Sequence, residues 1–286
     1  MSASSVEPGP REFVFSTRDF ARVRSLIHAR AGIALADSKQ DMVYSRLSRR
    51  LRALGMNSFG EYLDRLGRED EPEWEAFTNA LTTNLTSFFR EAHHFDQLRA
   101  LLLASKAPQP LRLWCSASST GEEPYSMAIS ACEAFDTLQP PVRILATDLD
   151  TQVLGTASRG VYPLERVERL PRALLQKYFR RGAGSASGLC RVRDELRALI
   201  EFRQLNLLDA RYPMRGPFEA IFCRNVMIYF DKPTQRAVLQ RMMPLLAPEG
   251  RFFAGHSESF FHAVDLVASC GRTVYRHPNA LQSRSA

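Results

Sequence analysis

Three short runs carry the residue types best suited to chemistry. The first is Ser116-Ala117-Ser118-Ser119-Thr120-Gly121-Glu122-Glu123. Small side chains let a ligand approach the backbone closely, and Gly121 permits a tight turn. The run is not GxGxxG, the pattern that seats a pyrophosphate on a helix N-terminus. Glu122 and Glu123 would repel a phosphate there. They suit a cationic, phosphate-free cofactor, and S-adenosylmethionine is one. A second reading stands beside it: two carboxylates that complement the dipole of the helix they open. The second run, Ala146-Thr147-Asp148, ends in an acid that can accept both hydroxyls of a ribose or simply form a turn. Its distance from Gly121 fits one βαβ unit and favours the ligand role. In the third run, from Cys223 to Phe230, Arg224 and Asn225 directly follow a buried apolar stretch, which packing alone does not explain. Tyr229 either reaches the reaction centre or is a half-buried core tyrosine.

These runs need strand ends to hold them, and the chain supplies strands from residue 111 onward. Short apolar runs at 111–115, 142–146, 218–223 and 251–254 alternate with helical patterns at 122–135, 151–158 and 234–246. That alternation implies βαβ units and a parallel sheet, with ligands at the carboxyl ends of the strands. A weak hairpin follows, 266–269 and 273–275, around Gly271. Between residues 160 and 202 the rhythm breaks at a glycine-rich turn (Gly182, Gly184, Gly188), followed by β-like runs at 189–192 and 199–202. A small antiparallel insertion is expected at about 162–202.

The first 80 residues read as helical. Ser16 and Thr17 open an amphipathic stretch with Phe20, Val23, Ile27 and Leu26 inward, closed by Gly32. A second helix spans about 37–54, with Gly55 as C-cap. A third covers 58–66, and a fourth opens near Pro72. Thr and Asn in residues 81–86 break the pattern, and a new helix is expected from about Arg90. The resulting division is a disordered tail at 1–12, a helical domain at 13–80, a linker at 81–110 and an α/β domain at 111–286.

The 286 residues, 45% hydrophobic and 24% charged, describe an ordinary globular protein with a sizeable core. Five scattered cysteines without a CxxC argue for a reducing cytosol and against structural zinc. Adjacent His93 and His94 point apart on a helix and are poor co-ligands, so no metal is expected. No apolar run reaches the roughly 20 residues of a membrane helix. The net charge of +7, almost all of it arginine, suits an acidic partner or reflects codon usage in a GC-rich genome.

The segments LTTNLTSFFREAHHF (81–95), STGEEPYS (119–126), ATDLD (146–150) and FCRNVMIYF (222–230), in this order, resemble the chemotaxis protein methyltransferases. The resemblance implies a Rossmann-like class I methyltransferase domain with an inserted β-subdomain, preceded by a small all-helical domain that binds the receptor. It implies S-adenosylmethionine as cofactor. It places Asn84, Thr86, Arg90, Glu123, Asp148, Asn206, Leu207, Arg224 and Asn225 around that cofactor, with Arg90 and Tyr229 acting on methyl transfer. The substrate would be glutamate side chains of chemoreceptors. Arg46, Arg49, Arg50 and Arg52 on the second helix would then grip acidic receptor helices, or form a solvated face. In some members the β-subdomain captures a receptor's C-terminal pentapeptide by strand addition. A cytoplasmic monomer recruited to receptor arrays follows from the same resemblance.

The chemistry agrees. A glutamate of pKa about 4.3 is already a nucleophile at neutral pH, so no general base is required. Gly255-His256-Ser257-Glu258-Ser259 lacks the second glycine of a serine-esterase elbow. Two rivals remain. A nucleic-acid methyltransferase would carry an Asn/Asp-Pro-Pro-aromatic run where Arg224-Asn225-Val226-Met227 stands. A non-catalytic module that senses S-adenosylmethionine would keep the same cofactor motifs.

Overall fold

Ser16 starts the first helix by accepting a hydrogen bond from the Asp19 N–H, while Asp19 accepts one from the Ser16 N–H. This reciprocal box satisfies two N–H groups that have no partner within a helix. The computed structural model describes residues 11–68 and 71–278. Helix α1 (Thr17–Ala31) ends at Gly32, whose φ of 70° is the left-handed conformation a C-cap needs. Then come α2 (Gln40–Leu54), α3 (Phe59–Leu66) and α4 (Glu71–Leu81). Residues 37–39, expected as the start of α2, form a separate 3₁₀ turn. Val23, Ile27, Val43, Leu47, Leu51 and Phe59 are fully buried and form the core of this helical unit, which extends to Thr82. Of the expected disordered tail, residues 1–10 lie outside the described residues. Arg11 and Glu12 do not behave as a tail: they pair with Asp41 and Arg52 of α2.

The second unit begins at Thr83. The expected break is present, but α5 (His93–Ala104) starts three residues later than Arg90. Phe89 and Glu91 have φ of 51° and 57°, which a right-handed helix excludes. The remaining elements are β1 (Leu111–Cys115), α6 (Glu122–Phe135), β2 (Val142–Asp148), α7 (Thr151–Arg159), β3 (Val161–Pro163), α8 (Arg172–Tyr178), β4 (Phe179–Arg181), β5 (Leu189–Val192), α9 (Asp194–Arg197), β6 (Ile200–Gln204), β7 (Phe218–Phe222), α10 (Lys232–Met242), β8 (Leu246–Phe253), β9 (Ala268–Gly271) and β10 (Val274–Arg276).

Seven strands form one sheet in the order β6-β2-β1-β7-β8-β10-β9. The first five are parallel, and β10 runs antiparallel to both neighbours. Successive side chains on a strand face opposite ways. Accordingly Leu113 and Cys115 enter the core under α5 and α6, while Trp114 enters the core under α10. The chain order reverses between β1 and β7, the switch point where ligands of α/β sheets bind.

The insertion is a separate antiparallel sheet, β3-β5-β4. One expected member is not in it. The run at 199–202 joins the main sheet as β6, parallel to β2 through Ile144↔Ile200 and Ala146↔Phe202. Its alternating pattern suits either sheet, and its partner strand decides.

Candidate functional site

At the switch point, β1 runs into the Ser116–Gly121 loop. Ser118 N donates to Thr147 O at 2.8 Å, tying the loop to β2. Gly121 has φ 100°, and a Cβ there would stand 2.8 Å from both the Ala157 Cβ and the Tyr162 hydroxyl oxygen. Its bare Cα therefore serves a close contact with α7 and β3 as well as the turn. Asp148 ends β2. Its two oxygens accept the N–H groups of Ser119 (2.8 Å) and Asp150 (3.0 Å). Burial raises Asp148 to about 6, and those two bonds partly oppose the rise. Each oxygen keeps a further lone pair for a hydroxyl.

Glu123, in the first turn of α6, is buried between two partners. Arg224 Nη1 donates to one oxygen at 2.7 Å, and Cys115 Sγ to the other at 3.2 Å. Burial pushes the Glu123 carboxyl upward, against the charge of Arg224. The Arg224 side chain is wholly buried. It also donates to Arg90 O and lies 3.5 Å from Glu91. Burial alone would raise Glu91, but Arg224 and the bonds from His256 and Asn225 outweigh it and hold Glu91 at about 2.

The segment before α5 folds over these groups. Asn84 Nδ2 donates to Asp150 at 2.8 Å, and Asn84 O accepts from Ser119 Oγ at 3.0 Å. Thr86 O accepts from Arg166, which also reaches Glu122. Arg90 turns back to donate to Leu85 O at 3.0 Å. On the far side, Leu205 N donates to Asp148 O, so Asn206 and Leu207 follow directly from the end of β6. Leu207 O is fixed by Tyr212 Oη at 2.9 Å and Arg241 Nη2 at 3.0 Å. Asn225 has φ 58° and its Nδ2 donates to Glu91 at 3.4 Å. Tyr229 lies half-buried on a 3₁₀ turn, Met227–Tyr229, packed at the edge of the core under α10.

Polar contacts at the switch point thus link Asn84 to Asp148 through Asp150 and Ser119, Thr86 to Glu122 through Arg166, and Glu123, Arg224, Asn225 and the backbone of Arg90 to one another with Glu91. The donor set fits S-adenosylmethionine. Glu123 suits an ammonium, Asp148 suits vicinal hydroxyls, and the buried hydroxyl of Ser118 has no hydrogen-bond partner in the loop between them. Among the described residues no cluster of His, Cys, Asp and Glu could hold a metal. His94 is buried against Phe253, and its Nε2 lies 3.0 Å from Thr273 Oγ1. Burial, then the charge of Arg224, lowers it to about 4.

Within the helical unit, the four arginines of α2 divide. Arg50 makes a bidentate pair with buried Glu73, which also accepts from Tyr62 Oη at 2.8 Å. Arg46 donates to Thr82 O at 2.6 Å and Ala80 O at 3.3 Å, capping the end of α4. Both have internal duties that the sequence reading did not foresee. Arg52 is exposed and pairs with Glu12, and Arg49 is exposed. Sequence reasoning also gave no role to Glu91, Asp150 and Arg166, and met Glu258 only in the run set aside as a serine-esterase elbow. Glu91 lies inside a motif already singled out, and an acid beside Arg90 was the available signal.

Comparison with known proteins agrees across both units. Residues 18–82 match the family described as "CheR methyltransferase, all-alpha domain", and residues 84–276 match "CheR methyltransferase, SAM binding domain". The chain is 55% identical over 278 residues to "Chemotaxis protein methyltransferase 2" of Pseudomonas aeruginosa, covering 96% of this chain and 99% of that protein. It is 51% identical over 266 residues to the "Chemotaxis protein methyltransferase" of Salmonella typhimurium, covering 93% and 92%. Its identity to the Escherichia coli protein of that name is 50% over 264 residues, covering 91% of each.

Proposed function

Since the chain belongs to the CheR methyltransferase family and is an S-adenosylmethionine-dependent methyltransferase, we propose that it esterifies glutamate side chains of chemoreceptors. The observation that carries this reading is 50–55% identity to chemotaxis protein methyltransferases over more than nine-tenths of the chain. The linked polar groups at the switch point support it.

Bound S-adenosylmethionine supplies a methyl group on a positively charged sulfur. Glu123 binds the amino group of its methionine part, with Arg224 balancing the buried carboxylate. Asp148, its oxygens aimed by Ser119 and Asp150, takes the ribose hydroxyls, and Asn206 and Leu207 flank the adenine. Asn84, Thr86 and Asn225 complete the enclosure. The acceptor carboxylate is ionised at neutral pH, so the protein's task is alignment and removal of water. Arg90 orients that carboxylate through a charge-assisted hydrogen bond. Tyr229 donates a hydrogen bond near the reacting oxygen.

Arg49 and Arg52 meet the acidic face of the receptor helix, while Arg46 and Arg50 hold α2 in place. The β-subdomain, whose sheet has β3 and β4 as its edges, takes a receptor's C-terminal pentapeptide as an added strand. The protein acts as a monomer in the cytoplasm, recruited to receptor arrays.

The test is transfer of labelled methyl from S-adenosylmethionine to receptor-containing membranes, followed by mild base. Base-labile label on the receptor is expected. Absence of transfer, or label stable to base, refutes carboxyl methylation.

A further inference from the structure

Just beyond strand β8 comes Gly255-His256-Ser257-Glu258, part of the run that lacks the second glycine of a serine-esterase elbow and that enters the site described above only through His256. Glu258 is buried and its carboxylate collects three backbone N–H groups: Gly255 (2.5 Å), Asn225 (3.0 Å) and Ile228 (3.3 Å). Two of those donors belong to the loop after β7, and Ile228 immediately precedes Tyr229. The same turn is braced from its other side, where Gln235 Nε2 donates to Met227 O at 2.8 Å and Phe230 O at 3.0 Å. Gly255 leaves no slack, since a Cβ there would stand 2.3 Å from Asn225 Nδ2. The next N–H, that of His256, goes to a second carboxylate, Glu91, at 3.2 Å. Glu91 follows Arg90 and is itself held by Asn225 and Arg224. Two consecutive N–H groups at one strand end therefore tie down two loops, one carrying Tyr229 and the other Arg90.

We propose that Glu258 is a positioning residue for methyl transfer: its carboxylate sets the turn that presents Tyr229, and the Gly255–His256 corner spaces Tyr229 against Arg90. The inference rests on the reading of Tyr229 as a group at the reaction centre. A buried carboxylate suits this task because it accepts several N–H groups at once. A glutamine would turn its own N–H groups toward those donors.

The test is a double-mutant cycle in the full chain, with receptor membranes as acceptor. Glu258→Gln is expected to lower kcat by roughly 10- to 100-fold, the scale of a reacting group displaced by about 1 Å. KM for receptor and affinity for S-adenosylhomocysteine should stay within about threefold. Tyr229→Phe should lower kcat alone, and the double variant should be no slower than the slower single variant, because both changes remove one interaction. Gln235→Met, which loosens the same turn from α10, should show the same non-additivity and replaces Glu258→Gln if that chain does not fold. Multiplying effects would overturn the proposal, because Glu258 would then act on stability or on another group. An unchanged kcat in Glu258→Gln would overturn it too. Full activity of Tyr229→Phe would overturn it by removing the reading of Tyr229 beneath it, a separate failure visible in the single variant.

Discussion

Replacing Arg224 by methionine removes the buried cation that lies between the half-buried Glu91 and the buried Glu123. Glu91 stands at about 2 in the folded chain against an ordinary 4.5. At about 1.4 kcal/mol per tenfold change, that preference for the charged form amounts to about 3 kcal/mol. The figure is net of burial, which pushes Glu91 the other way. Breaking a buried pair by deleting one partner costs about 3–5 kcal/mol, the same range. The Glu123 contribution is not simply added, because both acids share one guanidinium.

The sign with pH follows. In the parent chain the depressed Glu91 contributes stability above pH 4.5, lost as pH falls toward 2. Without Arg224, burial dominates and the folded-state values of both acids rise. Their penalty is then absent below about pH 4.5 and grows as pH climbs through the raised values. Arg224→Met should therefore lose about 3–5 kcal/mol at pH 7.5 and distinctly less at pH 5. Urea unfolding followed by tryptophan fluorescence measures this, with Trp74→Phe in both chains so that buried Trp114 alone reports on the α/β unit. A deficit below about 1 kcal/mol at pH 7.5, or one equal at both pH values, would refute the assignment of Arg224 as the compensating charge.

Other outcomes are equally specific. Affinity for S-adenosylhomocysteine, measured by calorimetry, should weaken as pH falls through about 6, where Asp148 becomes protonated. Asp148→Asn should bind weakly at every pH, and a parental pH response in that variant would sink the role given to Asp148. Arg49→Glu with Arg52→Glu should reduce receptor methylation at least about tenfold with cofactor affinity unchanged, because exposed like charges would then face an acidic helix. Equal loss of cofactor affinity would show the variant to be misfolded. Arg50→Met should destabilise the helical unit by about 3 kcal/mol or more, since it strands the buried Glu73 carboxylate. A melting curve unchanged by this substitution would contradict the structural role of Arg50.

What could be read from the sequence were features set by neighbours along the chain. The Ser16 cap and Gly32 stop of α1, the strand–helix alternation and the acids Glu123 and Asp148 are of this kind. Periodicity, capping and the rule that ligands sit at strand ends all act over a few residues or one βαβ unit. What needed the tertiary structure depends on partners far apart. Arg50 looked like a ligand for acidic helices until it met Glu73, 23 positions away. The run at 199–202 alternates as well for a hairpin as for the outer strand of a parallel sheet, and pairing with β2 chose between them. Arg224 reaches Glu123 across 101 positions, and His256 reaches Glu91 across 165. A buried charge must find its counterpart wherever the fold brings one within about 4 Å, and no local pattern records which residue that will be.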